Sequence, residues 1–224
     1  MANVTLKIYL GENKENYTNI RSTNTSQIYD VIQKVIKKTA WGGQDHGIFK
    51  FFKDKPGGIW LKPNNTLVYY EIITGDELYF LKKHQILKTK LMDNSVKTNM
   101  TDVSLSVQEI ATNVCSKLGI PNSLEYSFGF IFNDKFKWLN PKQGIREQGL
   151  SLEDFVILRK KYFLTDEDIE KYDPGQLHLV YEQCKQSILS ELYPCSEEQA
   201  ISFGGIQALI EQGEFEEKKK KHIK

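Results

Sequence analysis

KWLNPKQGIREQGLSLEDFVILRKKYF, residues Lys137 to Phe163, is laid out like an earlier stretch, GIWLKPNNTLVYYEIITGDELYFLKK, Gly58 to Lys83. Each runs through Trp-Leu-x-Pro, a polar turn, an amphipathic segment of about one helical turn, an acidic pair, an apolar run and a basic ending. Trp60-Leu61 and Pro63 answer to Trp138-Leu139 and Pro141, Asp76-Glu77 to Glu153-Asp154, and Lys82-Lys83 to Lys160-Lys161. That spacing is too long for a solenoid repeat and suits two small complete domains in tandem.

Outward from these stretches, the same order appears twice. Val4 to Leu10 alternates as a strand, Gly11-Glu12-Asn13 turns it, and Asn16 to Ser22 returns as its hairpin partner. Thr25 or Ser26 is expected to cap a helix with Ile28, Val31, Ile32 and Val35 on one face. Strands follow at Ile48 to Lys53, Ile59 to Lys62 and Glu77 to Lys82, with a one-turn helix near Leu67 to Ile72. In the second copy, Leu87 to Leu91 and Val96 to Met100 form the hairpin, and Ser106-x-x-Glu109 is a capping box for a helix burying Val107, Ile110, Val114 and Leu118. Tyr126 to Phe132, the tight turn Asn133-Asp134-Lys135, Trp138-Leu139 and Phe155 to Arg159 complete it. One helix across a mixed sheet of about five strands is a ubiquitin-like β-grasp. The linker His84-Gln85 is so short that a fixed tandem is expected.

From Thr165 the pattern turns helical. Asp173-Pro174 starts one helix, with Leu177, Val180, Tyr181, Cys184 and Ile188 on its apolar face. Ser196-x-x-Gln199 opens another, with Ala200, Phe203, Ala208 and Ile210 to bury. The fold class is therefore α+β: β-grasp lobes at 1–84 and 85–163, then a partial all-α lobe at 164–224.

Composition bounds the rest. With 40% hydrophobic and 26% charged residues in 224, the chain can build more than one core. A net charge of +1 gives no global argument for nucleic acid, so any basic contact is a local patch. Cys115, Cys184 and Cys195 are odd in number and unevenly spread, which favours free thiols in a reducing compartment over a disulfide framework. The start lacks the charged and apolar regions of a signal peptide, and no run is long enough to span a membrane. His46, His84, His178 and His222 lie in four separate settings without ligand spacing, and the Gly-Gly pairs lack the Lys-Ser/Thr of a phosphate loop. The expectation is a protein that is not an enzyme and has no cofactor or metal. Trp41, Trp60 and Trp138 read as core or lobe-packing aromatics.

Several stretches carry a family resemblance: Gly58-Ile59-Trp60-Leu61, Leu91-Met92-Asp93 with Val96-Lys97-Thr98, Arg146-Glu147-Gln148-Gly149, Leu158 to Phe163, and Asp173-Pro174-x-Gln176-Leu177. Together the chain resembles the N-terminal part of the talin head, an atypical FERM region. That resemblance implies two ubiquitin-like lobes, the start of an acyl-CoA-binding-protein-like helical lobe, and adaptor work at the inner plasma membrane, the cell cortex or adhesion sites. It also implies that the first lobe binds a Rap-type small GTPase through its second strand and helix, where Lys14, Arg21, Lys34, Lys37 and Lys38 stand. Lys34, Lys37 and Lys38 share one helix flank, which for an arbitrary sequence is more often merely solvated.

The run Lys218, Lys219, Lys220 and Lys221, with Lys224, suits anionic phospholipid at about 1 kcal/mol per residue near the surface. Its plain alternative is a solubilising tail after four glutamates. The family's basic insertion in the second lobe is replaced here by the minimal turn Asn133 to Lys137. Integrin and actin contacts of the family belong to regions this sequence does not contain. A monomer without nucleic acid is expected.

Overall fold

The protein is described by a computed structural model covering residues 2–40, 43–163, 169 and 171–213. By internal contacts it divides into two compact units, 1–179 and 180–224.

The first unit holds both β-grasp lobes. Strands β1 (Asn3–Leu10) and β2 (Tyr17–Thr23) form a hairpin, and α1 (Ile28–Thr39) follows. Then come β3 (His46–Phe51), β4 (Gly58–Leu61), a 3₁₀ turn at Val68–Tyr70 and β5 (Glu77–Lys82). The sheet order is β2-β1-β5-β3-β4, with β1 and β5 parallel and the other pairs antiparallel. The second lobe repeats this with β6 (His84–Lys90), β7 (Val96–Asp102), α2 (Val107–Lys117), β8 (Tyr126–Phe132), β9 (Lys135–Trp138), a 3₁₀ turn at Arg146–Gln148 and β10 (Phe155–Lys160), in the order β7-β6-β10-β8-β9.

Each helix lays its apolar face on one face of its sheet. Ile28, Val31, Ile32 and Val35 meet Leu6, Ile8, Ile20, Ile48 and Phe80 in the first lobe. Val107, Ile110, Ala111 and Val114 meet Leu87, Phe128, Val156 and Leu158 in the second.

The repeated Trp-Leu-x-Pro has a structural reason. A helix begins with N–H groups that lack partners within it. The loop after each Trp-Leu supplies those partners: Ile28 and Tyr29 donate to the carbonyls of Asn65 and Pro63, at 2.9 and 3.0 Å. Val107 and Gln108 donate to those of Gln143 and Pro141, at 2.8 and 3.0 Å. The Ser106–Glu109 capping box forms as expected. The cap expected from Thr25 or Ser26 does not. The N-cap of α1 is Gln27, without a side-chain cap bond, because Ser26 Oγ is engaged by the N–H and hydroxyl of Thr23.

The lobes are docked on each other. Tyr9, Phe49, Trp60, Tyr79 and Leu81, on the first sheet's face away from α1, pack with Val103 and Leu152 of the second lobe. Glu147 grips both sides: one carboxylate oxygen accepts from Trp60 N–H at 3.0 Å and the other from Gly144 N–H at 2.9 Å. Gly57 and Gly149 stand where the backbones meet, both with positive φ. A β-carbon at Gly57 would collide with the Glu147 carbonyl, so glycine is needed for the fit as well as the turn. Arg146, nearly buried, donates to Glu12 at 2.8 Å and Gln85 at 3.3 Å.

At the far end of the second lobe, Lys160 is buried and bonded to Glu125 and to the Tyr172 hydroxyl. Burial works against its charge, yet these bonds hold its pKa above the ordinary lysine value.

Helices α3 (Pro174–Leu189) and α4 (Glu197–Gln212) follow. Asp173 caps α3 through the N–H groups of Gly175 and Gln176, and the Ser196–Gln199 box caps α4. On α3, Val180 is buried as expected and Tyr181, Cys184 and Ile188 are half-buried, but Leu177 is exposed and the polar Gln176, Gln183 and Ser187 are buried as well. On α4, Ala200, Phe203, Ala208 and Ile210 are all exposed. Periodicity marked an apolar stripe there, but burial also requires a neighbour to cover it. Within the second unit, Cys184, Ile188, Phe203 and Ile206 line an apolar groove of about 470 Å³ between the two helices. Among the described residues, no helix is long and apolar enough to cross a membrane.

Candidate partner-binding face

Strand β2 ends the first sheet, so among the described residues one side of it has no neighbouring strand. Helix α1 runs beside that free edge and turns three lysines toward it. Lys34 Nζ donates to the Arg21 carbonyl at 3.3 Å and to Ser22 Oγ at 3.1 Å. Lys38 Nζ donates to the Asn19 carbonyl at 2.7 Å. With Lys37 and Arg21 they line a shallow depression of about 630 Å³, whose other walls are Thr5, Asn19 and Ile20. No acidic side chain is among the lining residues, so the depression has one sign of charge.

Lys14 lies elsewhere. Its ammonium is paired with Glu77 at 2.6 Å and sits 5.6 Å from the centre of the Tyr9 ring. Arg21, Lys34, Lys37 and Lys38 line one depression, and Lys14, in the turn between β1 and β2, is not among its lining residues. The Glu77 carboxylate holds the Lys14 pKa above its ordinary value and in return lies below the usual glutamate value itself. Lys218, Lys219, Lys220, Lys221 and Lys224 lie outside the described residues.

Sequence reasoning expected the second strand to offer main-chain hydrogen bonds to a partner, but missed that the lysines themselves bond to its carbonyls. The carbonyls of Asn19 and Arg21 are what the lysines touch, and neither side chain announces that. The signal that was available is the position of β2 as the return strand of the first hairpin, which β-grasp order leaves at an edge.

Catalytic candidates gain nothing from the fold. Among the described residues, no three His, Cys, Asp or Glu side chains gather as metal ligands. Burial pushes the Cys115 thiol up to about 12, opposite to what a nucleophile needs.

Against known families, the N-terminal or F0 domain of talin-head FERM matches residues 4–82, and the FERM central domain matches residues 167–223. Talin-A of Dictyostelium discoideum is 36% identical over 189 residues, and Talin-B of the same organism is 37% identical over 212. These alignments cover 84% and 94% of this chain. Human Talin-2 is 33% identical over 235 residues, covering 88% of this chain. The chain belongs to the talin-head FERM family.

The chain spans only 14%, 8% and 9% of the length of those three talins. Among solved structures, the FERM and C-terminal domain complex of Drosophila Merlin aligns at 20% identity with a TM-score of 0.48, covering 60% of this chain and 46% of that one. Within the talin-head frame, the F0 match coincides with the lobe whose edge carries the lysines.

Proposed function

We propose that this talin-head segment is the recruiting end of a cytoskeletal adhesion adaptor, and that its first lobe docks a Rap-type small GTPase on the β2–α1 face. The observation that carries this reading is the depression lined by Arg21, Lys34, Lys37 and Lys38 without a single acid, set against an open strand edge. Such a surface suits an acidic strand, which would add main-chain hydrogen bonds at β2 while the cations steer its approach. Each exposed ion pair contributes about 0.5 to 1 kcal/mol, so the surface sets encounter rate and orientation more than affinity. Lys14, paired with Glu77 and not among the residues lining the depression, is outside this contact set.

The adaptor works without catalysis, at the inner face of the plasma membrane, where the basic residues 218–221 and 224 add a weak attraction to anionic lipid. A second reading draws on the docked lobes. Glu147, Gly57 and Gly149 fix one lobe on the other, as a spacer that only positions neighbouring domains would require.

Titration of the labelled chain with a GTP-loaded and then a GDP-loaded Rap-type GTPase separates the two. Shifts at Tyr17 to Thr23 and along α1, dependent on GTP and abolished by Lys34→Glu with Lys38→Glu, are expected. An unchanged response in that variant, or no nucleotide dependence, favours the spacer. Sedimentation with phosphoinositide-containing vesicles is expected to exceed that with neutral ones and to fade with salt; equal sedimentation removes the lipid contribution.

A further inference from the structure

The two ends of the β1–β2 ladder fix which residues of β2 face outward. Leu10 N–H donates to the Asn16 carbonyl at 2.8 Å, and Asn24 N–H donates to the Ala2 carbonyl at 3.0 Å. In an antiparallel pair, bonded and non-bonded positions alternate. With Lys7 opposite Asn19 and Thr5 opposite Arg21, residues 18, 20 and 22 commit their main-chain groups to β1. Tyr17, Asn19 and Arg21 therefore turn both N–H and C=O to the free side.

That edge complements itself. An antiparallel pairing with a second copy about a two-fold axis at Asn19 sets each Asn19 opposite its twin and each Tyr17 opposite an Arg21. Every pair then exchanges two main-chain hydrogen bonds. Tyr17 is exposed and aromatic, so the Tyr17–Arg21 pairs add a cation–ring contact. By backbone and side chains alike this strand is suited to pairing with itself.

What stands in the way is the pair of lysines. Lys34 and Lys38 hold the two outward carbonyls of Arg21 and Asn19. Their ammonium groups compete for the carbonyls that the N–H groups of an added strand would use. Two copies brought edge to edge would also bring four ammonium groups together, and lysine charge placed at a sheet edge opposes edge pairing. We infer that Lys34 and Lys38 guard a latent self-pairing edge, and that without them this chain dimerises through β2. The inference stands apart from the GTPase reading, because it concerns the free chain.

The test is sedimentation of the full chain over a wide concentration range, as wild type, as Lys34→Met with Lys38→Met, and as that double variant with Asn19→Pro added. Both lysines are exposed, so their replacement leaves the core intact. Proline at an outward edge position removes no bond to β1 but denies one to an added strand. The double variant is expected to self-associate at least about tenfold more tightly than wild type, from the two freed carbonyls. Asn19→Pro should return it to the wild-type state. Amide exchange at Asn19 and Arg21 should slow as the double variant is concentrated. Association no tighter than wild type overturns the inference, as does association that survives Asn19→Pro. Lys34→Gln with Lys38→Gln gives the same readout should the methionine pair misfold.

Discussion

The two β-grasp lobes share strand order, helix placement and the loop that caps the helix, yet equivalent residues meet opposite fates. Trp60 in β4 is 6% exposed and Trp138 in β9 is 39% exposed. Both lie on the sheet face away from the helix, but Trp60 is covered there by Val103 and Leu152 of the other lobe. On the second lobe, Trp138 packs edge-on against Phe136 at 4.8 Å and carries Lys161 at 5.6 Å from its ring centre. The repeat fixes the fold of each copy, and docking one copy on the other decides which aromatics become interior.

The sharpest way to break that comparison is to truncate each tryptophan. Trp60→Ala empties the interlobe cluster and is expected to cost about 3 to 5 kcal/mol. Trp138→Ala removes a half-exposed ring and should cost about 1 kcal/mol or less. Denaturant unfolding followed by amide signals from both lobes measures the two. Equal losses would mean that the lobes do not stabilise each other through this face.

The basic endings diverge as well. Lys82 is exposed, whereas Lys160, its counterpart, is 1% exposed and bonded to Glu125 and Tyr172. Removing one member of a buried pair strands the other, so Lys160→Ala should cost about 3 kcal/mol, against about 0.5 kcal/mol or less for Lys82→Ala. The pH dependence has a definite sign. The folded pKa of Lys160 is raised above 10.5, so its contribution is fully present below that unfolded value and is lost as pH rises through the folded one. The stability gap between wild type and Lys160→Met should therefore be flat at neutral pH and narrow only above about pH 10.5. A gap that closes near neutrality would show that the ion pair is not its source.

The elements were legible because the sequence repeats them. Glu77–Lys82 and Tyr126–Phe132 match their strands to the residue, since alternating or continuous apolar runs between turn residues have few other solutions. The candidate face was half legible. A lysine triplet at helical spacing identifies a flank, and Lys34, Lys37 and Lys38 do share it with Arg21. Charge alone could not tell that Lys14 would pair with Glu77 across the sheet, because that contact depends on how β1 and β5 register. It could not show the carbonyls of Asn19 and Arg21 either, since main-chain direction follows from ladder parity. The stripe on α4 misled for a related reason: the pattern records which face can be buried, and Ala200, Phe203, Ala208 and Ile210 remain exposed.

The smallest effect concerns the helix starts, where the copies differ at the N-cap and at the third helical residue, Gln27 and Asp30 against Ser106 and Glu109. In the second lobe Ser106 accepts from Glu109 N–H at 3.3 Å, and Glu109 returns a bond to Ser106 N–H at 2.9 Å. In the first lobe Gln27 holds the N-cap position with φ −70° and ψ 151°, the extended geometry a capping residue needs, but offers no side-chain bond. Ser106→Ala should thus cost about 1 kcal/mol and speed exchange of the Glu109 amide. Val107 and Gln108 should stay protected, because the carbonyls of Gln143 and Pro141 hold them. Gln27→Ser is the reciprocal change: it places a hydroxyl within reach of the Asp30 N–H and should gain about 0.5 to 1 kcal/mol, with slower exchange at Asp30 alone. A gain spread over the whole first turn, or none, would mean that the loop carbonyls of Pro63 and Asn65 already set the start of α1 and that the cap in the second lobe is redundant.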